Sequence, residues 1–193
     1  MPLRALRVKR YIMKKNLIVL AVVALAVLAV VCTVDIQSVD EYYLTHLEDI
    51  SSDSQTVTLS VNCSLVFDNL DLLDESLKRS DIIPKDGIIL PPTEYVLRKD
   101  DTVFDLLNRA LRYNKIHFDY SGNSDSSFQP VYIRGIANIY EYDCGDLSGW
   151  MYSVNGQFPQ NSCSDYKPSD GDVIEWQYTC SLGKDLGDEY FSE

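Results

Sequence analysis

A run of 18 apolar residues near the amino end, residues 17–34, most constrains how this chain can fold. At about 1.5 Å of helical rise per residue it reaches roughly 27 Å, close to the ~30 Å hydrocarbon core of a bilayer. No polar face interrupts the run, which disfavours a helix buried in a soluble core. We therefore expect a transmembrane helix or a signal segment. The absence of an Ala-x-Ala site near Cys32 favours an uncleaved anchor.

Charge is divided unevenly by this run. The leader, residues 1–16, carries six of the 17 Lys and Arg residues and no acid, whereas all 29 Asp and Glu residues follow the run. Because positive charge stays on the cytoplasmic side, the remainder is expected at the cell membrane facing outward, or secreted if the segment is cleaved. An acidic remainder without a basic patch argues against nucleic acid as a partner.

The part beyond the run is long enough for one folded domain. Residues 35–55 are polar and acidic and are interpreted as a stalk, residues 56–187 as the domain, and residues 188–193 as a tail. The clearest helix signal lies in the domain, where apolar residues recur at helical spacing. These are Val103, Leu106, Leu107, Ala110 and Leu111.

Thr102 and Asp105 resemble a capping box at the start of that helix. Arg109 and Arg112 are expected on its solvent face. A shorter helix is expected over residues 66–77.

Alternation and turn signals predict strands around this helix. The first strand covers residues 56–63. Extended segments on both sides of Pro91-Pro92 are expected at a sheet edge. Asn155-Gly156 predicts a hairpin turn, with a returning strand at residues 157–158. Further strands are expected over residues 117–120, 131–133, 138–142, 150–154 and 173–178, with Gly135 separating two of them. The prediction is an α+β domain, a β-grasp-like mixed sheet with one main helix, whose first and last strands are parallel neighbours.

Four cysteines lie beyond the apolar run: Cys63, Cys144, Cys163 and Cys180. An even number in an exported domain predicts two disulfides, for which three pairings are possible. In a β-grasp arrangement the ends of the first and last strands meet at one sheet edge. This favours Cys63–Cys180, with Cys144–Cys163 at the base of the hairpin.

Three motifs in order, residues 149–156, 163–166 and 170–176, together with residues 101–107, resemble the transcobalamin-like C-terminal domain family. This is a domain of unknown function in surface proteins of Gram-positive bacteria. The resemblance implies a β-grasp-like fold related to the cap domain of cobalamin carriers. The implied role is a small-ligand-binding module, with cobalamin as a possible ligand and a membrane transporter as a possible partner. The chain has no room for the helical domain that holds most of the cobalamin in those carriers.

The candidate ligand-binding residues are Trp150, Tyr152, Asn155, Tyr166 and Trp176. Tryptophan and tyrosine offer apolar faces with polar tips that suit a planar ligand. The alternatives are sheet packing for the aromatic residues and a turn for Asn155.

Catalysis is not expected, because nucleophile, phosphate-loop and zinc motifs are absent. Asp165, Asp170 and Asp172 do not match a calcium loop, so no metal is expected. The alternative function is a surface domain that binds protein or glycan.

Overall fold

The computed structural model describes residues 54–78, 81–123 and 129–188, together with the isolated helical positions Asn16, Leu20 and Val23. The chain divides into two units, Met1–Ser38 and Val39–Glu193. The predicted membrane segment, the stalk and the tail lie almost wholly outside the described residues. Within the described residues, no helix combines the length and apolar character needed to cross a bilayer.

The second unit is a mixed α+β fold, as predicted, but it has two sheets where one was expected. Short 3-10 helices cover Ser64–Asn69 and Lys184–Leu186. The remaining elements are β1 (Thr56–Asn62), α1 (Glu75–Lys78), β2 (Ile88–Val96), α2 (Val103–Tyr113), β3 (Phe118–Ser121), β4 (Tyr132–Ile136), β5 (Ile139–Tyr140), β6 (Gly149–Val154) and β7 (Val173–Thr179).

The larger sheet has the strand order β2-β1-β7-β6. β1 runs antiparallel to β2 and parallel to β7, with Val61 opposite Trp176. The prediction that the first and last strands are parallel neighbours is therefore confirmed. β2 contains Pro91-Pro92 and lies at the sheet edge, where a residue without an N–H is tolerated.

The smaller sheet has the order β3-β4-β5. Gly135 was expected to separate two strands, but it lies inside β4 opposite Tyr140. A Cβ at Gly135 would lie 2.5 Å from Cδ1 of Tyr140, so the glycine lets the tyrosine ring cover the backbone. The turn that follows uses Ala137 and Asn138, both with positive φ, and β5 keeps only two residues.

The helix α2 matches its prediction closely. Thr102 Oγ1 accepts from the Asp105 N–H at 3.2 Å, and the Asp105 carboxylate accepts from the Thr102 N–H at 2.9 Å, which completes the capping box. The apolar stripe of α2 is at most 1% exposed and belongs to the same core as the buried faces of β1, β6 and β7. Residues 66–77, expected as one helix, instead contain parts of a 3-10 helix and α1.

Arg109 is buried rather than solvent-facing, which corrects the prediction from helical spacing. It is 8% exposed and forms a two-pronged ion pair with Asp101, at 2.7 and 3.1 Å. Its guanidinium also donates to the Val96 carbonyl at 3.0 Å, which ties α2 to the end of β2.

Candidate functional site

A cavity of about 220 Å³ lies where the edge of the larger sheet meets β4. We call it the aromatic cavity. Its wall is formed by three stretches that are distant in sequence, in β4, in β6 and in the segment 158–163, with Trp176 of β7 and Asp188. The lining residues are Val131, Tyr132, Ile133, Trp150, Met151, Tyr152, Phe158, Pro159, Gln160, Cys163, Trp176 and Asp188.

The aromatic wall follows from cross-strand pairing between β6 and β7. Trp150 is opposite Tyr178, and Tyr152 is opposite Trp176, so the four rings share one face of the sheet. Tyr152 and Trp176 have ring centroids 5.4 Å apart at a tilt of 34°, and Trp150 meets Tyr178 edge to face at 5.2 Å. These spacings are typical of favourable aromatic pairs.

The polar tips of the three lining rings differ in their partners. The Trp150 indole N–H donates to the Ile139 carbonyl at 2.9 Å, and the Tyr152 hydroxyl donates to the Asn161 carbonyl at 2.7 Å. The Trp176 indole N–H is buried and has no hydrogen-bond partner in the described part of the chain. A buried donor without an acceptor costs about 1–3 kcal/mol.

Among the described residues, β6 and the first part of β4 each have a strand partner on one side. β6 is an outer strand of the larger sheet, and β5 pairs with Gly135 and Ile136, so Tyr132 and Ile133 pair only with β3. The segment after Phe158 is held against β4 by two serines. Ser162 Oγ donates to the Val131 carbonyl at 3.0 Å, and the Val131 N–H donates to Ser164 Oγ at 3.2 Å.

Asp188 is the acidic side chain among the lining residues, and it is 5% exposed. Burial raises the pKa of the Cys163 thiol to about 12 and also raises the pKa of Tyr152. At the rim, the Tyr132 hydroxyl donates to Glu141 at 2.7 Å, and Gln160 is exposed. The cavity is therefore suited to a mainly apolar molecule with a few polar atoms.

Three of the five residues predicted from the sequence lie together in this wall: Trp150, Tyr152 and Trp176. Tyr166 is half-buried behind them, with its ring 6.2 Å from that of Tyr152. Asn155 occupies the hairpin tip, away from the cavity lining, and both polar atoms of its side-chain amide are bonded to residues at the start of β7. Its Nδ2 donates to Asp172 at 2.8 Å and its Oδ1 accepts from the Val173 N–H at 2.9 Å.

The turn at Asn155-Gly156 has positive φ at both residues, as a type I′ turn requires. The returning strand is reduced to one bridge between Val154 and Gln157, and β6 pairs instead with β7. Sequence reasoning missed the lining residues of β4 and of the segment 158–163. No local pattern marks them, because only long-range packing brings them to β6.

The four cysteines are buried, and no disulfide joins any two of them among the described residues. Sγ of Cys180 lies 3.0 Å from Sγ of Cys144, not beside Cys63. Cys63 Sγ contacts the Gly87 carbonyl at 3.3 Å, and Cys163 lines the aromatic cavity. The parallel strand ends place Cys180 two residues past the level of Cys63, beside the Leu65 carbonyl, which explains the difference.

Among the described residues, no group of three or more His, Cys, Asp or Glu side chains is arranged to hold a metal ion. Two of the acids that were considered as calcium ligands accept hydrogen bonds from backbone N–H groups. Asp170 accepts from the Thr56 N–H at 2.7 Å, and Asp172 accepts from the Ser169 N–H at 2.8 Å.

Comparisons with known proteins place one family on part of this fold. A family described as a domain of unknown function, DUF4430, matches residues 100–180, from the start of α2 to the end of β7. None of the curated proteins matches the chain. Sixteen chains of known structure are similar to it, among them a crystal structure from Ruminococcus gnavus ATCC 29149 provisionally described as a metal binding protein. That similarity has 16% identity and a TM-score of 0.35, and it covers 65% of this chain and 96% of the other.

Proposed function

We propose that this chain is a small-ligand-binding module and that the aromatic cavity is its binding site. The observation that carries the proposal is a cavity walled by both tryptophans of the chain, one of which has a buried indole N–H with no acceptor among the described residues. Apolar ring faces would supply most of the binding energy, and the indole N–H would fix the orientation of the ligand.

The volume of the cavity limits the size of the ligand. An engineered cavity of about 150 Å³ binds benzene, and pockets for drug-sized ligands span roughly 300–1,000 Å³. At about 220 Å³ the aromatic cavity suits one or two fused rings. A whole cobalamin exceeds this space, so a corrinoid would engage the cavity only through a peripheral ring such as its nucleotide base.

The proposal includes a location and a non-catalytic role. The basic leader and the apolar run favour export, so we place the cavity outside the cytoplasmic membrane, tethered by residues 17–34. In that setting the module would hand a small molecule to a membrane transporter or retain it at the cell surface.

Benzimidazole and indole form a matched pair of probes for this site. Both are planar bicyclic molecules of nearly equal size, but only benzimidazole has a ring nitrogen that can accept from the Trp176 N–H. For nine heavy atoms we expect a Kd on the order of 0.1–1 mM for benzimidazole. One net hydrogen bond of about 0.5–1.5 kcal/mol makes indole about 2- to 13-fold weaker. Isothermal titration calorimetry on the full chain measures both.

Two tryptophan variants separate the hydrogen bond from general packing. Trp176→Phe removes the unpartnered N–H, so benzimidazole should lose its advantage over indole. Trp150→Phe removes an N–H that is already bonded to Ile139, so both probes should weaken while their ratio is kept. Absence of binding by either probe at millimolar concentration, with the chain folded, would refute the proposal.

A second candidate is a surface that binds protein or glycan. Tyr142, Leu147 and Leu182 are 63%, 55% and 43% exposed. They cluster, because the Leu182 N–H donates to the Leu147 carbonyl and the Tyr142 N–H to the adjacent Ser148 carbonyl. Exposed apolar groups of this kind mark interaction surfaces in many proteins. Loss of partner binding in Leu147→Ser, with ring binding unchanged, would assign function to this cluster.

A further inference from the structure

We infer that Cys144 and Cys180 form a disulfide in the mature protein and that Cys63 and Cys163 remain thiols. The two sulfurs are 3.0 Å apart, and a disulfide needs about 2.05 Å, so a shift of roughly 1 Å joins them. Within residues 54–78, 81–123 and 129–188, neither Cys63 nor Cys163 has another cysteine sulfur in hydrogen-bond contact. Each of their sulfurs lies against a backbone carbonyl.

Both chain segments that carry the pair are held in place by hydrogen bonds. The Cys144 N–H donates to Ser148 Oγ at 3.0 Å, and that serine donates to the Gly145 carbonyl at 2.8 Å. The Cys180 N–H donates to Asp185 at 2.7 Å. The Tyr178 hydroxyl lies 2.9 Å from Ser148 Oγ, so it connects β7 to the turn before β6. Closing the bond requires little change in the backbone that supports it.

The chemistry is a thiol–disulfide exchange. The thiolate of one cysteine attacks a disulfide supplied by the surroundings, a dithiol–disulfide oxidoreductase in the cell or glutathione disulfide in the test tube, and releases one thiol. The second cysteine then displaces the other thiol from the mixed disulfide, so two cysteine thiols are oxidised and one external disulfide is reduced. The oxidising surroundings rest on the export proposed above.

The environment of the folded thiols indicates when the bond forms. Burial, with smaller contributions from acids including Asp185, raises the pKa of both Cys144 and Cys180. A raised pKa leaves little thiolate in the folded state. We therefore place oxidation during folding, before the turn closes over the pair, and expect the finished bond to resist reductants only while the chain stays folded.

Peptide mapping tests the pairing on the full chain. The chain is refolded with a mixture of reduced and oxidised glutathione, alkylated, and digested without reduction. Trypsin leaves Cys144, Cys163 and Cys180 on one peptide, because it cuts after Arg134 and Lys184 but not between Lys167 and Pro168. Chymotrypsin separates Cys144 from Cys163 at Trp150 and Tyr152, and Cys163 from Cys180 at Tyr166 and Trp176. A cross-linked peptide pair containing Cys144 and Cys180 is expected. A Cys63–Cys180 or Cys144–Cys163 link, or four free thiols, would overturn the inference.

Thermal unfolding with and without dithiothreitol supplies a second readout. The predicted bond closes a loop of about 36 residues, so reduction should lower the Tm on the order of 10 °C. Cys163→Ser, which removes a thiol outside the pair, should keep this sensitivity to reductant. Cys144→Ser and Cys180→Ser should lose it. An equal response in all three variants would contradict the pairing.

Discussion

The buried ion pair between Arg109 and Asp101 gives the sharpest test of the fold. The side chains are 7% and 9% exposed, and the guanidinium makes three hydrogen bonds, two to Asp101 and one to the Val96 carbonyl. Arg109→Met keeps most of the side-chain length but leaves the carboxylate buried without its counter-ion. Breaking such a pair from one side costs about 3–5 kcal/mol. Because the Arg98 N–H still donates to Asp101 at 2.8 Å, we expect a loss near 3 kcal/mol.

Urea unfolding of the full chain, followed by tryptophan fluorescence, measures this loss. Arg112→Met is the matched control, since Arg112 is exposed on the same helix and its replacement should change stability by at most about 0.5 kcal/mol. Adding Asp101→Asn to Arg109→Met removes the orphaned charge and should recover part of the stability. A loss below about 1 kcal/mol for Arg109→Met, or no recovery in the double variant, would refute the burial of this pair.

Three further changes test local features by the same unfolding assay. Gly135→Ala places a Cβ against the Tyr140 ring and should cost about 1–3 kcal/mol; a neutral result would show that the ring does not cover Gly135. Asn155→Ala removes the turn amide at a position with φ of 53° and should cost about 1–2 kcal/mol; an unchanged midpoint would contradict the turn. Burial, with a smaller effect of Asp74, raises the pKa of Asp143, so its carboxylate opposes folding above that pKa. Asp143→Asn should therefore stabilise the fold at pH 7, by less than about 1 kcal/mol because the group is half-exposed. This gain in stability should vanish near pH 3, where the Asp143 carboxyl is protonated. A larger gain at pH 3 than at pH 7 would contradict the direction of the pKa shift.

The features that sequence patterns predicted correctly are set by neighbouring residues. The capping box of α2 needs only Thr102 and Asp105, three residues apart, and the turn before Gln157 needs only Asn155 and Gly156. The parallel pairing of β1 and β7 was inferred from the general logic of one helix covering a mixed sheet. Such rules work because backbone geometry and hydrogen bonding act locally or constrain topology strongly.

Long-range packing explains the features that the sequence did not reveal. Helical spacing placed Arg109 near the solvent face, and nothing in that spacing indicates a carboxylate eight residues earlier or a carbonyl at the end of β2. The geometry favours a cysteine pair other than the predicted ones for a related reason: β7 continues past the end of β1, and the turn before β6 brings Cys144 to Cys180. Of the residues that line the cavity, the sequence predicted only the aromatic residues of β6 and β7, because the alternation of these two strands is visible in the sequence.

Nuclear magnetic resonance of the two indole N–H groups tests the binding proposal most directly. The chain has two tryptophans, both in the wall of the aromatic cavity, so each indole signal reports on that site. On titration with benzimidazole we expect saturable shifts of both signals, with Trp176 moving downfield as its N–H gains an acceptor, while the Asn155 side-chain amide at the hairpin tip stays fixed. Unmoved indole signals at millimolar benzimidazole, or shifts confined to the residues around Leu147, would contradict it.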